Sequence, residues 1–255
     1  LLSSSADVQN WSSKAILRLS EGHSVNTCAL CDVGAVGALA GVVSKGSGEA
    51  RKQACGALWG LVLGGGGGQG GVDAVEGLLG SDGEEGVKAV LEGLSAGVAG
   101  SEVKQRAFVE RFGVVRIVGL LGHGSAGVQA KACNVVRALT LNCALNRVAF
   151  GEGGVVEGVV RLLGSDDAEV QKEAVMAVWA TAIDNVKNKD CYLNAGAAAA
   201  ICKLLQSPVA IVQEMAAGCV QSLCASQHVR SQDALRDAGC VQLLVGLLSS
   251  SSADV

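Results

Sequence analysis

The chain has 255 residues, with 20 Lys and Arg against 24 Asp and Glu, so it lacks a broad basic field for nucleic acid or an anionic membrane. Apolar residues make up 49% but aromatic ones only 3%, so Leu, Val and Ala must fill any core. One proline, together with little Thr, Tyr and Ile, argues against a β-rich domain and toward helices.

Leucine pairs set a beat along the chain. They fall at Leu78-Leu79, Leu120-Leu121, Leu162-Leu163, Leu204-Leu205 and Leu247-Leu248, at intervals of 42, 42, 42 and 43 residues. Leu1-Leu2 and Val42-Val43 extend the series at the start, with one short interval of 36. A single globular core has no reason to keep such a period, whereas a stack of helical repeats does. Units are expected at about 6–49, 50–84, 85–126, 127–168, 169–210 and 211–253, forming one domain. The chain opens with LLSSSADVQ and closes with LLSSSSADV, so both ends are expected to lie within a recurring unit of a longer array.

Each unit predicts the same order of elements. A turn follows the leucine pair (GSDGE, GHGSA, GSDDA, QSPVA or SSSSA). A long helix comes next, of the type VQAKACNVVRALT or VQKEAVMAVWATA, and then a short one such as NRVAFGEGG or NKDCYLNAG. A second apolar helix, VVEGVVRLL or AAAICKLL, closes the unit. Asn26, Asn146 and Asn188 precede the short helices and are expected to cap them, since an Asn side chain can satisfy a free backbone N–H. Gly34, Gly154, Gly196 and Gly239 end the short helices, where a left-handed turn suits glycine. The second unit departs from this order. GLVLGGGGGQGGV stands where its short helix should be, and a loop is expected there. The third unit, GVKAVLEGLSAGVAG, is glycine-rich as well, so the first half of the array should be less stiff than the second.

These features resemble the armadillo repeat family. The resemblance rests on V-Q-x-x-A at the start of the long helix, N-[RK] before the short one, and A-G or G-G followed by an apolar run to L-L. It covers nearly the whole chain and is strongest from Gly127 to Ala253. Two-helix HEAT repeats are the nearest rival, but they usually carry a proline kink that this chain does not supply. The resemblance implies an all-α, right-handed superhelix of about six three-helix repeats, the second degenerate. In that family the longest helix of each repeat lines a concave groove that binds extended peptides or a partner protein.

Nuclear-import receptors of the family carry a Trp and, four residues later, an Asn on that helix. The Trp-equivalent positions here are Lys14, Gly56, Ala89, Asn134, Met176 and Gly218, and the Asn-equivalent ones Arg18, Gly60, Gly93, Ala138, Ala180 and Ser222. The Asn ladder is absent, which argues against classical import-signal binding. Trp59 and Trp179 share one position and are either groove anchors or packing between helices. Trp11 starts its helix and is read as covering an end surface. Lys14, Arg18, Arg51, Lys52, Lys88, Lys131 and Arg137 make the first four long helices basic, which suits a partner with acidic segments. The candidate groove residues are Lys14, Arg18, Trp59, Asn134, Arg137, Met176, Trp179 and Ser222. Gly56, Gly60, Gly93 and Gly218 are poor helix formers, and serve either close helix packing or a shallow groove floor.

No enzymatic constellation emerges. Cys28-Ala-Leu-Cys31 lies within a helix with no strand before it and has no second Cys pair for zinc. The glycine run lacks the Lys-Ser/Thr ending of a phosphate loop. The same run interrupts the longest uncharged stretch, Gln53 to Val72, so no transmembrane span is expected. The ten cysteines sit in apolar runs, as small buried hydrophobes of a cytosolic, nuclear or ciliary protein would. The reading is a non-enzymatic protein-binding scaffold or adaptor, with no cofactor and no metal. The alternative is a structural element of a cytoskeletal or ciliary assembly that associates through its ends or convex face.

Overall fold

Long helices begin where a short polar side chain meets free backbone N–H groups. Ser5 and Ser125 each accept from the amide three residues on, and Asp167 accepts from the amides of Glu169 and Val170. The computed structural model describes residues 5–46 and 48–248, all of their regular structure helical. The SSSSA turn expected at 249–253 lies outside the described residues.

The chain divides into two compact units, 1–112 and 113–255. The first holds α1 (Ala6–Ser20), α2 (Ser24–Asp32), α3 (Ala35–Lys45), α4 (Gly48–Leu63), α5 (Gly68–Leu79), α6 (Glu84–Val98) and α7 (Glu102–Phe112). The second holds α8 (Val115–Leu120), α9 (Ala126–Thr140), α10 (Ala144–Glu152), α11 (Val155–Leu163), α12 (Ala168–Ala182), α13 (Val186–Asn194) and α14 (Ala197–Leu204). It ends with α15 (Ala210–Cys224), α16 (Val229–Asp237) and α17 (Cys240–Leu247). Along the chain a long helix and one or two shorter ones recur, as α1–α3, α4–α5, α6–α8, α9–α11, α12–α14 and α15–α17. Within each unit the long helices stack in succession, α1 on α4 on α6, and α9 on α12 on α15.

The second repeat lacks its short helix, as the glycine run predicts. Only Gly64 to Gly67 separate α4 from α5. The turn passes so close to α2 that a Cβ at Gly66 would lie 2.5 Å from Thr27 Cγ2 and 3.0 Å from its backbone. The four hinge glycines Gly34, Gly154, Gly196 and Gly239 all take left-handed φ of 84–85°, a conformation that costs other residues strain.

The asparagines correct the expectation. Asn26, Asn146 and Asn188 are each the third residue of a short helix, not its cap. The caps of α2 and α13 are His23 and Asn185, three residues earlier. Each of the three asparagines instead donates its side-chain amide to the penultimate carbonyl of the preceding long helix. Asn26 reaches Leu19 O at 2.9 Å, Asn146 reaches Leu139 O at 2.9 Å, and Asn188 reaches Thr181 O at 2.8 Å. The last carbonyls of a helix have no intrahelical donor, and the amide supplies one. The following residue continues the pattern, since Thr27 donates to Ser20 O and Arg147 to Thr140 O. Asn188 also donates to Arg147 O at 2.8 Å, tying one short helix to the previous one.

Branched aliphatics and alanine fill both cores, with one aromatic cluster in the first unit. Trp59 lies 5.8 Å from Phe108 and 5.6 Å from Phe112 between ring centroids, and the two Phe rings stack at 5.0 Å. In the second unit the buried Tyr192 hydroxyl meets Thr181 Oγ1 at 2.8 Å. Burial holds that phenol well above its usual pKa. Among the described residues no single helix is long and apolar enough to cross a membrane.

Candidate functional site

The clearest concavity in the first unit runs across its long helices. It is a cleft of about 410 Å³ lined by Leu17 and Ser20 of α1, by α4, and by the Glu92–Gly97 stretch of α6. Its existence follows from missing side chains. Gly56 and Gly60 on α4 and Gly93 and Gly97 on α6 present bare backbone to it.

These glycines settle differently between the two sequence readings. A Cβ at Gly93 would lie 2.8 Å from Cys55 Cβ and 3.2 Å from Trp59 Cδ1, so Gly93 lets α4 and α6 approach. Gly60 is also tight, 3.1 Å from Leu17 Cδ1. At Gly56 the nearest atom is Leu17 Cδ2 at 4.0 Å, and at Gly97 it is Trp59 Cβ at 3.8 Å. Those two positions leave the floor open. Gly218 on α15 likewise has nothing within 4 Å.

Of the two readings for Trp59, the structure shows packing. It is 1% exposed, and its indole N–H donates to Val90 O at 2.9 Å. Only part of it contributes to the cleft floor, so it is no free-standing anchor. α6 and α7 cover the indole through Val90, Phe108 and Phe112. Trp179, at the equivalent position on α12, is half-buried. Trp11 is 67% exposed, with the Lys14 ammonium over its ring at 4.8 Å.

The other candidates scatter. Arg18 is exposed and pairs with Glu21 at 2.8 Å. Arg51 donates to Gly46 O, and Lys88 lies 2.5 Å from Glu85. In the second unit Asn134 donates to the buried Glu173 carboxylate at 3.0 Å, and Lys172 bridges Glu169 and Glu173. Met176 and Arg137 are half-buried, and Arg137 Nε is buried without a hydrogen-bond partner. Ser222 is buried too, and its Oγ has no partner. Much of the predicted basic face is therefore occupied within the fold. Lys52 and Lys104 are exposed beside the cleft and form no ion pair among the described residues. The repeat alignment does not pick out Lys104, because it belongs to α7, a short helix brought to the cleft only by folding.

All ten cysteines are free, and six are buried. Burial pushes the Cys55, Cys219 and Cys240 thiols up to about 12, and raises Cys133 further. Cys31 is also raised, by burial first and then by Cys28 and Asp32, opposite to what a redox pair needs. Among the described residues no three His, Cys, Asp or Glu side chains converge as metal ligands would.

No family model and no curated protein matches the chain. Solved structures do. An engineered protein from the Northeast Structural Genomics Consortium matches with a TM-score of 0.73 at 28% identity, over 86% of this chain and 91% of that one. A designed armadillo repeat protein matches at 0.69 and 22%, over 85% of this chain and 93% of that one. Another, solved in complex with the peptide (KR)4, matches at 0.63 and 22%, over 83% of this chain and 91% of that one. With the repeating order of long helix, short helix, glycine hinge and second helix, these likenesses show that the chain has an armadillo-like repeat fold.

Proposed function

We propose that this protein is a non-enzymatic scaffold, an adaptor that binds an extended peptide or partner segment across the stacked long helices. The observation that carries the reading is the open cleft over α1, α4 and α6, floored by backbone and apolar side chains and rimmed by charged ones. A designed protein of the same fold holds a peptide, (KR)4. That peptide is basic, whereas the uncommitted side chains here, Lys52 and Lys104, are basic themselves and favour a partner with acidic segments. Lys14 and Arg18 lie on α1 of the same unit, and in the second unit the half-buried Asn134, Met176 and Trp179 lie on the long helices α9 and α12. Ten free thiols fit a reducing compartment, cytosol or nucleus.

The test is selection of displayed random dodecapeptides on the full chain, followed by hydrogen exchange on the complex. The expected result is 1:1 binding with protection on α1, α4 and α6 or on α9, α12 and α15. Protection confined to the short helices, or no enriched peptide, would refute it.

A second reading, end-to-end self-association, is favoured by exposed apolar residues on the terminal helices. α17 exposes Val241 and Val245, Leu248 just after it is exposed, and α1 exposes Val8 and Trp11. Sedimentation from 1 to 200 µM decides it: a concentration-dependent mass lost in a Val245→Glu variant supports association, and a constant monomer excludes it.

A further inference from the structure

We propose that the glycine-floored cleft of the first unit is a pocket for one bulky aromatic side chain of an extended partner segment whose neighbouring residues are acidic. This rests on the scaffold reading above and names its occupant. Three observations lead to it. The first is shape. A cleft of about 410 Å³ holds a large side chain and its own backbone, and is too small for a folded element. The second is lining. Leu17 and Leu63, Ala96, the edge of Trp59 and bare helix backbone at Gly56 and Gly97 make an apolar floor. An aromatic ring buries the most surface there for the fewest torsions fixed.

The third is charge. On the rim the Glu21 carboxylate is paired with Arg18 at 2.8 Å, and Glu92 has a partner of its own. The two lysines, Lys52 on α4 and Lys104 on α7, are exposed and have no ion-pair partner among the described residues. The rim therefore presents unanswered positive charge around an apolar floor. That combination suits an aromatic residue flanked by Asp or Glu, and disfavours a basic segment.

The experiment uses the full chain and a fluorescein-labelled nonapeptide, DEGDFGEDE, read by fluorescence anisotropy. Its partners are DEGDAGEDE, which lacks the ring, and (KR)4. The Phe peptide is expected to bind roughly 10- to 100-fold more tightly than the Ala peptide, the worth of burying one such side chain. Gly56→Leu should fill the cleft and lower affinity at least tenfold while leaving the melting temperature unchanged or raised. Gly97→Leu does the same from α6 if the first variant folds poorly. Lys52→Glu with Lys104→Glu should weaken the Phe peptide and flatten its salt dependence. Equal binding of the Phe and Ala peptides, tighter binding of (KR)4, or no effect of either glycine variant overturns the proposal. If selected peptides protect α9, α12 and α15 and ignore Gly56→Leu, this pocket assignment falls while the scaffold reading stands. If no peptide binds anywhere, both fall.

Discussion

Two glycines of the same cleft should respond to the same substitution with opposite signs. Gly56 and Gly93 are both helical, and alanine at either should gain about 0.5–1 kcal/mol by restricting the unfolded chain and favouring the helix. At Gly56 the new methyl meets nothing nearer than Leu17 Cδ2 at 4.0 Å, so Gly56→Ala should keep that gain. At Gly93 the methyl would stand 2.8 Å from Cys55 Cβ and 3.2 Å from Trp59 Cδ1. Cys55 Cβ is fixed to the α4 backbone and cannot swing away, and the indole is held by its hydrogen bond to Val90 O. Relieving the overlap means parting α4 from α6, an overpacking cost of about 1–3 kcal/mol. Gly93→Ala should therefore be neutral to destabilising, and the two variants should differ by about 1–3 kcal/mol. Urea unfolding followed by far-ultraviolet circular dichroism, at one protein concentration, measures both. If the two alanines shift stability in the same direction by similar amounts, the packing account of Gly93 is wrong.

Asn188→Ala should cost about 2–4 kcal/mol, because it strips the donor from two buried carbonyls, Thr181 O and Arg147 O. Asn26→Ala, at a half-buried site, should cost about 1 kcal/mol or less, and equal losses in thermal melts would refute this role of the asparagine amides. A Cβ at Gly151 would overlap the Asn188 carboxamide, so Gly151→Ala should destabilise the wild type yet be tolerated in an Asn188→Ala background. A double-mutant cycle showing no coupling would exclude this contact. The buried thiols predict alkaline lability. Burial pushes the Cys55 and Cys219 thiols up to about 12 from the ordinary thiol value of 9.0, so the folded state holds protons that the unfolded state releases. Their stabilisation is intact below pH 9 and is lost as pH rises from 9 toward 12, at up to about 1.4 kcal/mol per thiol per unit. Melting temperatures from pH 8 to 10.5 should fall less steeply in a Cys55→Ala/Cys219→Ala variant than in the wild type. Parallel slopes would count against the assignment. In the native state at pH 8, a thiol reagent should label the exposed Cys28 first and leave Cys55, Cys133 and Cys219 unmodified until unfolding.

The period of the leucine pairs determined the architecture by itself. A repeat can bury its apolar face only against a similar neighbour, so a regular beat of apolar helices specifies a stack whatever the details. The hinge glycines were equally legible, because a left-handed turn selects glycine locally. So was the missing short helix, because a glycine run cannot hold one. The short-helix asparagines were legible as a recurring position but misread in role. A cap is a local device, whereas these amides reach carbonyls seven residues back, a distance set by how the chain folds between the helices. Only the tertiary structure decided which glycine packs and which opens the cleft. The residue is the same at Gly56 and Gly93, and the outcome depends on what stands opposite it. The same is true of charge. The pairs Arg18–Glu21 and Lys88–Glu85 are spaced three residues apart on one helix and are legible in the sequence, whereas only folding brings Lys104 of α7 to the rim beside α4 and α6. Local chemistry and periodicity are written along the chain. Proximity between helices a repeat apart is not, and the cleft consists of that proximity.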